Sequence, residues 1–241
     1  MASRVFQTPI GGFEVSYLRE GSADRPDILF LHGWGANKEL MRSVFSKHCE
    51  NFRALYIDLP GFGASKNDKA LATADYAAIV GSVLKHLTVD PIAIVGHSFG
   101  GKVAVLLDPP CLALISSAGI PKKKSLSVRV KIALAKRFKF LAVNALRGAL
   151  RTSDARGLNE NMYETLKNVV DEDFSVFFAK RGKKTLIFWG RKDRATPLES
   201  GRKMHALIKN SEFFEYDGDH FFFSTYAADI MEKIKAAVKA L

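Results

Sequence analysis

Apolar residues in this chain gather in short unbroken runs, separated by stretches where they recur at every third or fourth position. The runs Asp27–Leu31, Arg53–Leu59, Pro91–Val95, Cys111–Ser116 and Thr185–Trp189 have the length and β-branched content of strands buried on both faces. Between them, Thr73–Leu87 places Tyr76, Ile79, Val80, Val83, Leu84 and Leu87 at helical spacing, and Ala227–Leu241 does the same through Ile230, Ile234 and Val238. Strand alternating with helix predicts an α/β fold, with a mostly parallel central sheet covered by helices on both faces. Arg4–Thr8 and Phe13–Arg19, on either side of Gly11-Gly12, read as an opening hairpin. The alternation breaks at residues 121–183, a basic and helix-prone stretch. The chain is therefore expected to be one domain, 1–241, carrying an inserted lid at about 121–183.

The strongest chemical signal is Gly96-His97-Ser98-Phe99-Gly100, directly after the run PIAIV and before KVAVLL, which reads as a short helix. A strand–turn–helix around G-x-S-x-G strains the serine backbone and presents its hydroxyl at the carboxyl end of the sheet. A serine hydroxyl is a weak nucleophile and needs a base, itself oriented by an acid. Asp193 follows the run TLIFW on a loop at the same sheet edge, ahead of Thr196-Pro197-Leu198-Glu199, which reads as a capping box with proline at the first helical position. His220, in Asp217-Gly218-Asp219-His220, is the candidate base. His48, His86 and His205 fall on helix-like stretches facing solvent or lid, His97 is expected to point away from the serine, and His32 to brace a loop. Leu31-His32-Gly33-Trp34-Gly35 closes an earlier strand, so the backbone amides of Trp34 and Phe99 are the candidate oxyanion donors. The Trp34 indole either lines an acyl pocket or packs.

Charge changes the picture only locally. Of the net +11, ten units belong to residues 121–156, where eleven lysines and arginines face a single acid, Asp154. Leu126, Val130, Leu134, Leu141 and Ala145 recur among those cations, so the segment is either a solvated lid helix or an electrostatic platform for an acidic partner or anionic lipid headgroups. No groove-reading or stacking motif accompanies the charge, which argues against nucleic acid. No apolar run is long enough to span a bilayer, and the first residues lack the apolar core of a secretory signal. Cys49 and Cys111 are too few for a disulfide framework and read as buried thiols, which points to the cytoplasm. Phe174, Phe177, Phe178 and Phe221–Phe223 are expected mostly in core and lid contacts, with one or two shaping an acyl slot.

Taken together, HGWG, DLPGFGAS (Asp58–Ser65), GHSFGG, WGRKDRATP and GDH resemble the α/β-hydrolase superfamily over about residues 27–120 and 184–241. Within it the chain is similar to small carboxylesterases, pimeloyl-acyl-carrier-protein methyl esterases included. The resemblance implies hydrolysis of a small-molecule ester or related acyl substrate through an acyl-enzyme, with no metal and no organic cofactor, and makes an acyl carrier protein one acidic partner for the basic lid. Meta-cleavage-product (C–C bond) hydrolases are a second resemblance, but they usually carry methionine after the nucleophile and tryptophan after the histidine, where this chain has Phe99 and Phe221. Two departures from the family stand out. Asp108-Pro109-Pro110 cuts the helix after Ser98 to about two turns, and Asp219 sets an extra carboxylate beside His220. A partner-binding module that kept the fold is the reading outside enzymology.

Overall fold

The computed structural model describes residues 2–121 and 159–241. Eight strands form one sheet in the order β1-β2-β4-β3-β5-β6-β7-β8. They are β1 (Ala2–Thr8), β2 (Gly11–Glu20), β3 (Asp27–Leu31), β4 (Arg53–Ile57), β5 (Ala93–His97), β6 (Cys111–Ile115), β7 (Lys184–Gly190) and β8 (Ser211–Tyr216). β1 runs antiparallel to β2 and β2 to β4, while the pairings from β4 through β8 are parallel. The five apolar runs are therefore strands, each within a couple of residues of its expected bounds. The hairpin differs in one respect. Thr8 pairs with Gly11, so the turn is Pro9-Ile10 and the two glycines belong to β2. Pro9 fixes its own φ for the turn, and Thr8 Oγ1 closes it by accepting from Ile10 N (3.3 Å) and donating to Gly11 O (2.6 Å).

Alternation along the strands splits the core in two. Leu29, Leu31, Leu55, Ile57, Ile94, Leu112, Leu114, Ile187 and Trp189 face one layer with α2 (Thr73–His86), α3 (Phe99–Leu107), α4 (Glu160–Val169), α5 (Ser175–Lys180) and α6 (Leu198–Leu207). Ile28, Phe30, Tyr56, Val95, Ala113, Ile115 and Phe188 face the other, against α1 (Lys38–Phe45) and α7 (Phe223–Lys239). α7 begins four residues earlier than its apolar spacing suggests, with a non-helical Tyr226 (φ −107°, ψ 19°) interrupting its first turn. Cys49 and Cys111 are free, buried thiols, and burial pushes each up to about 11. Among the described residues no helix is long and apolar enough to cross a membrane.

The basic helix expected over 125–150 lies outside the described residues. The rest of the insert, from 159 onward, is tied to the sheet domain by polar contacts. Leu71 N donates to Thr165 Oγ1 (3.0 Å), and Lys102 Nζ donates to Val169 O (2.5 Å) and Glu172 Oε2 (2.7 Å). Glu172 also accepts from Thr73 Oγ1, where α2 opens without a side-chain cap of its own. Farther on, the buried Arg181 guanidinium binds Thr185 Oγ1 (2.9 Å), Asp108 Oδ1 (2.5 Å) and Pro109 O (2.8 Å). Asp108 is the left-handed residue (φ 48°) at which α3 stops, so the proline break also anchors the returning chain.

Candidate active site

β5 and β3 are neighbours at the point where the strand order reverses, and parallel strands there open a crevice at their carboxyl ends. Ser98 stands in that crevice with φ 51° and ψ −113°, a left-handed conformation that costs a non-glycine residue about 1–3 kcal/mol. The elbow tolerates no side chain on either flank. A Cβ on Gly96 would stand 2.6 Å from Gly100 O, and one on Gly100 would stand 2.5 Å from Leu31 O. Backbone bonds hold the turn, with Ser98 N donating to Ile115 O (3.0 Å) and Ala118 N to Ser98 O (3.0 Å). Among the described residues, no hydrogen bond joins Ser98 Oγ to His220; such contacts often tighten only when substrate binds.

Gly33 passes directly over the elbow, where a Cβ would meet His97 Nδ1 at 2.9 Å and Ser98 Cβ at 3.1 Å. Ala36 N closes a turn onto Gly33 O (3.2 Å), leaving Trp34 at the turn's second position, where the N–H takes no part in the turn bond. Phe99 is the first residue of α3, so its amide has no intrahelical acceptor. The Trp34 indole lies edge-on to Phe62 (4.9 Å) and Phe99 (5.7 Å), half-buried against the core. His32 does brace this loop. Its Nε2 accepts from Leu59 N (3.0 Å) and its Nδ1 donates to Gly33 O (2.7 Å), while complete burial pushes the imidazole down to about 4. The DLPGFGAS loop beneath is fixed by Asp58, fully buried, which accepts from Lys38 N and Nζ (both 2.7 Å) and Ala64 N (2.9 Å).

Asp193 and His220 leave β7 and β8 at the same edge and meet, His220 Nδ1 donating to Asp193 Oδ2 at 2.8 Å. Burial pushes the Asp193 carboxyl up, yet it lies below the usual carboxylate range. The His220 hydrogen bond, the neighbouring Ser116 hydroxyl and the Thr196 amide together outweigh desolvation. Asp219 does not compete for the imidazole, because its Oδ1 accepts from Phe221 N (2.8 Å). Two residues of this frame escape a reading of the sequence. Thr196 does not open a capping box: Pro197 is the N-cap of α6 and no side chain caps the helix. Instead Thr196 N donates to Asp193 Oδ1 (2.9 Å), and its hydroxyl lies 2.9 Å from Asp193 Oδ2 and 3.0 Å from Ser116 O. His97, expected to point away from the serine and given no role, packs its ring 4.6 Å from that of His220, and its Nε2 donates to His220 O (3.1 Å). Burial pushes His97 down to about 3, so it is neutral at ordinary pH. A histidine beside a glycine-flanked serine was the available signal for His97; for Thr196 it was a hydroxyl three residues after the acid. Of the phenylalanines, Phe174, Phe178, Phe222 and Phe223 are buried, whereas Phe177 and Phe221 are 46% and 47% exposed.

A family model described as the alpha/beta hydrolase family matches residues 28–232. An uncharacterized hydrolase, YugF, of Bacillus subtilis is 23% identical, over 85% of this chain and 86% of its own. A pimeloyl-[acyl-carrier protein] methyl ester esterase of Pectobacterium carotovorum is 33% identical over a shorter stretch, 36% of this chain and 33% of that one. Among solved structures, an esterase of Exiguobacterium antarcticum superposes with a TM-score of 0.77 at 21% identity, covering 99% of this chain and 100% of that one. An esterase of Thermogutta terrifontis gives 0.74 at 18% identity, covering 100% and 99%.

Proposed function

Since the chain belongs to the alpha/beta hydrolase family and is a hydrolase, we propose that it cleaves a carboxylic ester or related acyl substrate through an acyl-enzyme on Ser98. The observation that carries this reading is the 2.8 Å bond from His220 Nδ1 to Asp193 Oδ2, at the same sheet edge as a serine held in left-handed backbone. That bond fixes the tautomer in which Nε2 is free to accept a proton. As Ser98 Oγ attacks the carbonyl carbon, Nε2 takes the hydroxyl proton and Asp193 stabilises the imidazolium. Negative charge gathers on the carbonyl oxygen, and in this reading the Trp34 and Phe99 amides donate to it. The imidazolium then protonates the leaving alcohol as the C–O bond breaks. Water, deprotonated by the same nitrogen, attacks the acyl-enzyme, and the acid leaves with Ser98 restored.

Residues 1–241 act in this reading as one domain with a lid insertion at about 121–183, and the group cleaved is a small-molecule acyl or ester. The cations of 122–156, together with the pimeloyl-[acyl-carrier protein] methyl ester esterase among the relatives, favour an acyl carried by an acidic protein. An anionic lipid surface is the competing partner. Fluorophosphonate labelling of wild-type and Ser98→Ala protein, alongside p-nitrophenyl esters of increasing chain length, tests the reaction. Labelling and ester turnover should both vanish in the variant. Turnover surviving Ser98→Ala would overturn the assignment, and labelling without ester turnover would favour C–C cleavage of dienoates.

A further inference from the structure

Thr196 is held more firmly than a loop residue needs to be. Its carbonyl accepts from Trp189 Nε1 (2.8 Å), its N–H donates to Asp193 Oδ1 (2.9 Å), and Pro197 restrains the next residue. A β-branched side chain on a fixed backbone has few rotamers open to it. Its hydroxyl oxygen consequently stands within reach of three groups at once: Asp193 Oδ2 at 2.9 Å, Ser116 O at 3.0 Å and His220 Nδ1 at 3.4 Å. A hydroxyl has one proton to give. His220 Nδ1 is already committed as a donor to Asp193 Oδ2, so the threonine proton must go either to the carboxylate or to the Ser116 carbonyl. An ionised carboxylate is the stronger acceptor, and hydrogen bonds to it are about twice as strong as neutral ones. Directing the proton to Ser116 O would instead turn a hydroxyl lone pair toward a carboxylate oxygen at 2.9 Å.

We infer that Thr196 is a positioning residue for the His220–Asp193 pair, donating from both its amide and its hydroxyl so that one residue spans both carboxylate oxygens. This rests on the proposed roles of Ser98, His220 and Asp193. The two donors fix the plane of the carboxylate, and hence the direction in which the imidazole is held. The hydroxyl also draws charge off Oδ2, restraining how strongly Asp193 favours the imidazolium over the neutral ring. Ser116 turns its carbonyl toward Thr196 at φ 42°, and its buried hydroxyl lies beside Asp193 without forming a hydrogen bond among the described residues, so the threonine is the residue that bonds both carboxylate oxygens.

The pH dependence of the reaction separates this role from a merely structural one. Around His220 the ionisable groups are Asp193 from the β7 loop, with Arg194 next to it, and His97 from β5, with His32 beyond it. Asp219 adjoins His220 in its own loop, where Asp217 is paired with Lys192 (2.7 Å). None of these is altered by Thr196→Val, which removes the hydroxyl and keeps the shape. The test follows fluorophosphonate inactivation and p-nitrophenyl acetate hydrolysis across pH in wild type, Thr196→Val and Thr196→Ser. Thr196→Val is expected to lower kcat about tenfold with little change in KM, the equivalent of one charge-assisted hydrogen bond. Its acid limb should move to higher pH by about 0.5 unit, because an undamped carboxylate holds the imidazolium more tightly. Thr196→Ser should restore both. An acid limb that stays in place or moves to lower pH, or a serine variant that behaves as valine does, would overturn the inference. If Thr196→Val is unfolded by circular dichroism, Thr196→Ala makes the same prediction without a methyl against the carboxylate. Should Ser98→Ala still label and turn over, the proposed site itself fails; if it is silent while the Thr196→Val limb does not move, only the role of Thr196 fails.

Discussion

At the scale of single residues, this site rests on two buried imidazoles that stay neutral at ordinary pH. His32 and His97 are 0% and 1% exposed, and burial lowers them to about 4 and about 3. In the unfolded chain both return to about 6.5. Between pH 6.5 and the folded values the unfolded state therefore binds protons that the native state refuses, and stability falls as pH falls. Going from pH 7 to pH 5, the two together should cost about 4 kcal/mol, roughly 2 from each. Urea midpoints at the two pH values measure the loss, and His97→Gln should show about half of it. An equal loss in that variant would mean the carboxylates, not the imidazoles, carry the acid sensitivity. Asp193 acts later in the same direction: its folded value is depressed, so its contribution persists until pH drops below the ordinary carboxylate range.

At the scale of elements, the returning half of the insert is fastened by an ion pair whose cation is buried. Lys102, 2% exposed on α3, bonds Glu172 and Val169 O, and its ammonium lies over the rings of Phe174 (4.8 Å) and Phe99 (5.7 Å). Burial pulls the ammonium down, and Glu172 offsets part of that. Removing only the acid strands a charge in the core. Glu172→Gln should cost about 2 kcal/mol, discounted because Glu172 itself is a quarter exposed. The double variant Lys102→Met/Glu172→Gln should recover part of it in thermal denaturation, and no recovery would assign the loss to the Thr73 contact alone. Elements of this kind mark the limit of what a linear pattern conveys. Apolar runs and helical spacing specify which face is buried, so the strands, α2 and the elbow at Ser98 were legible. Asp193 and His220 were legible for a related reason, since each follows a parallel strand and must emerge at the same edge. Pairings across 70 or more residues, such as Lys102 with Glu172 and Arg181 with Asp108, leave no local trace. Thr196 misled because Thr-Pro-x-Glu is equally the signature of a helix cap, and only the approach of Ser116 O and Asp193 decides which partners its hydroxyl meets.

Over the whole molecule the charge is partitioned: ten of the eleven net positive units lie in residues 121–156, leaving the remainder nearly neutral. A segment so charged attracts an acidic partner from beyond contact distance, and the attraction is screened over about 8 Å at physiological ionic strength. The acyl transfer proposed at Ser98 has no such dependence for a neutral ester, which carries no charge for the segment to attract. The two contributions can be separated by salt. For an acyl ester carried on an acidic protein, kcat/KM should fall at least about tenfold between 0.02 and 0.5 M salt, through the encounter rate. For p-nitrophenyl butyrate it should change by less than about twofold. Replacing Lys122, Lys123 and Lys124 by glutamine should flatten the first dependence and leave the second alone. A parallel response of both substrates would mean that the cations serve solubility, and that the segment meets no acidic carrier.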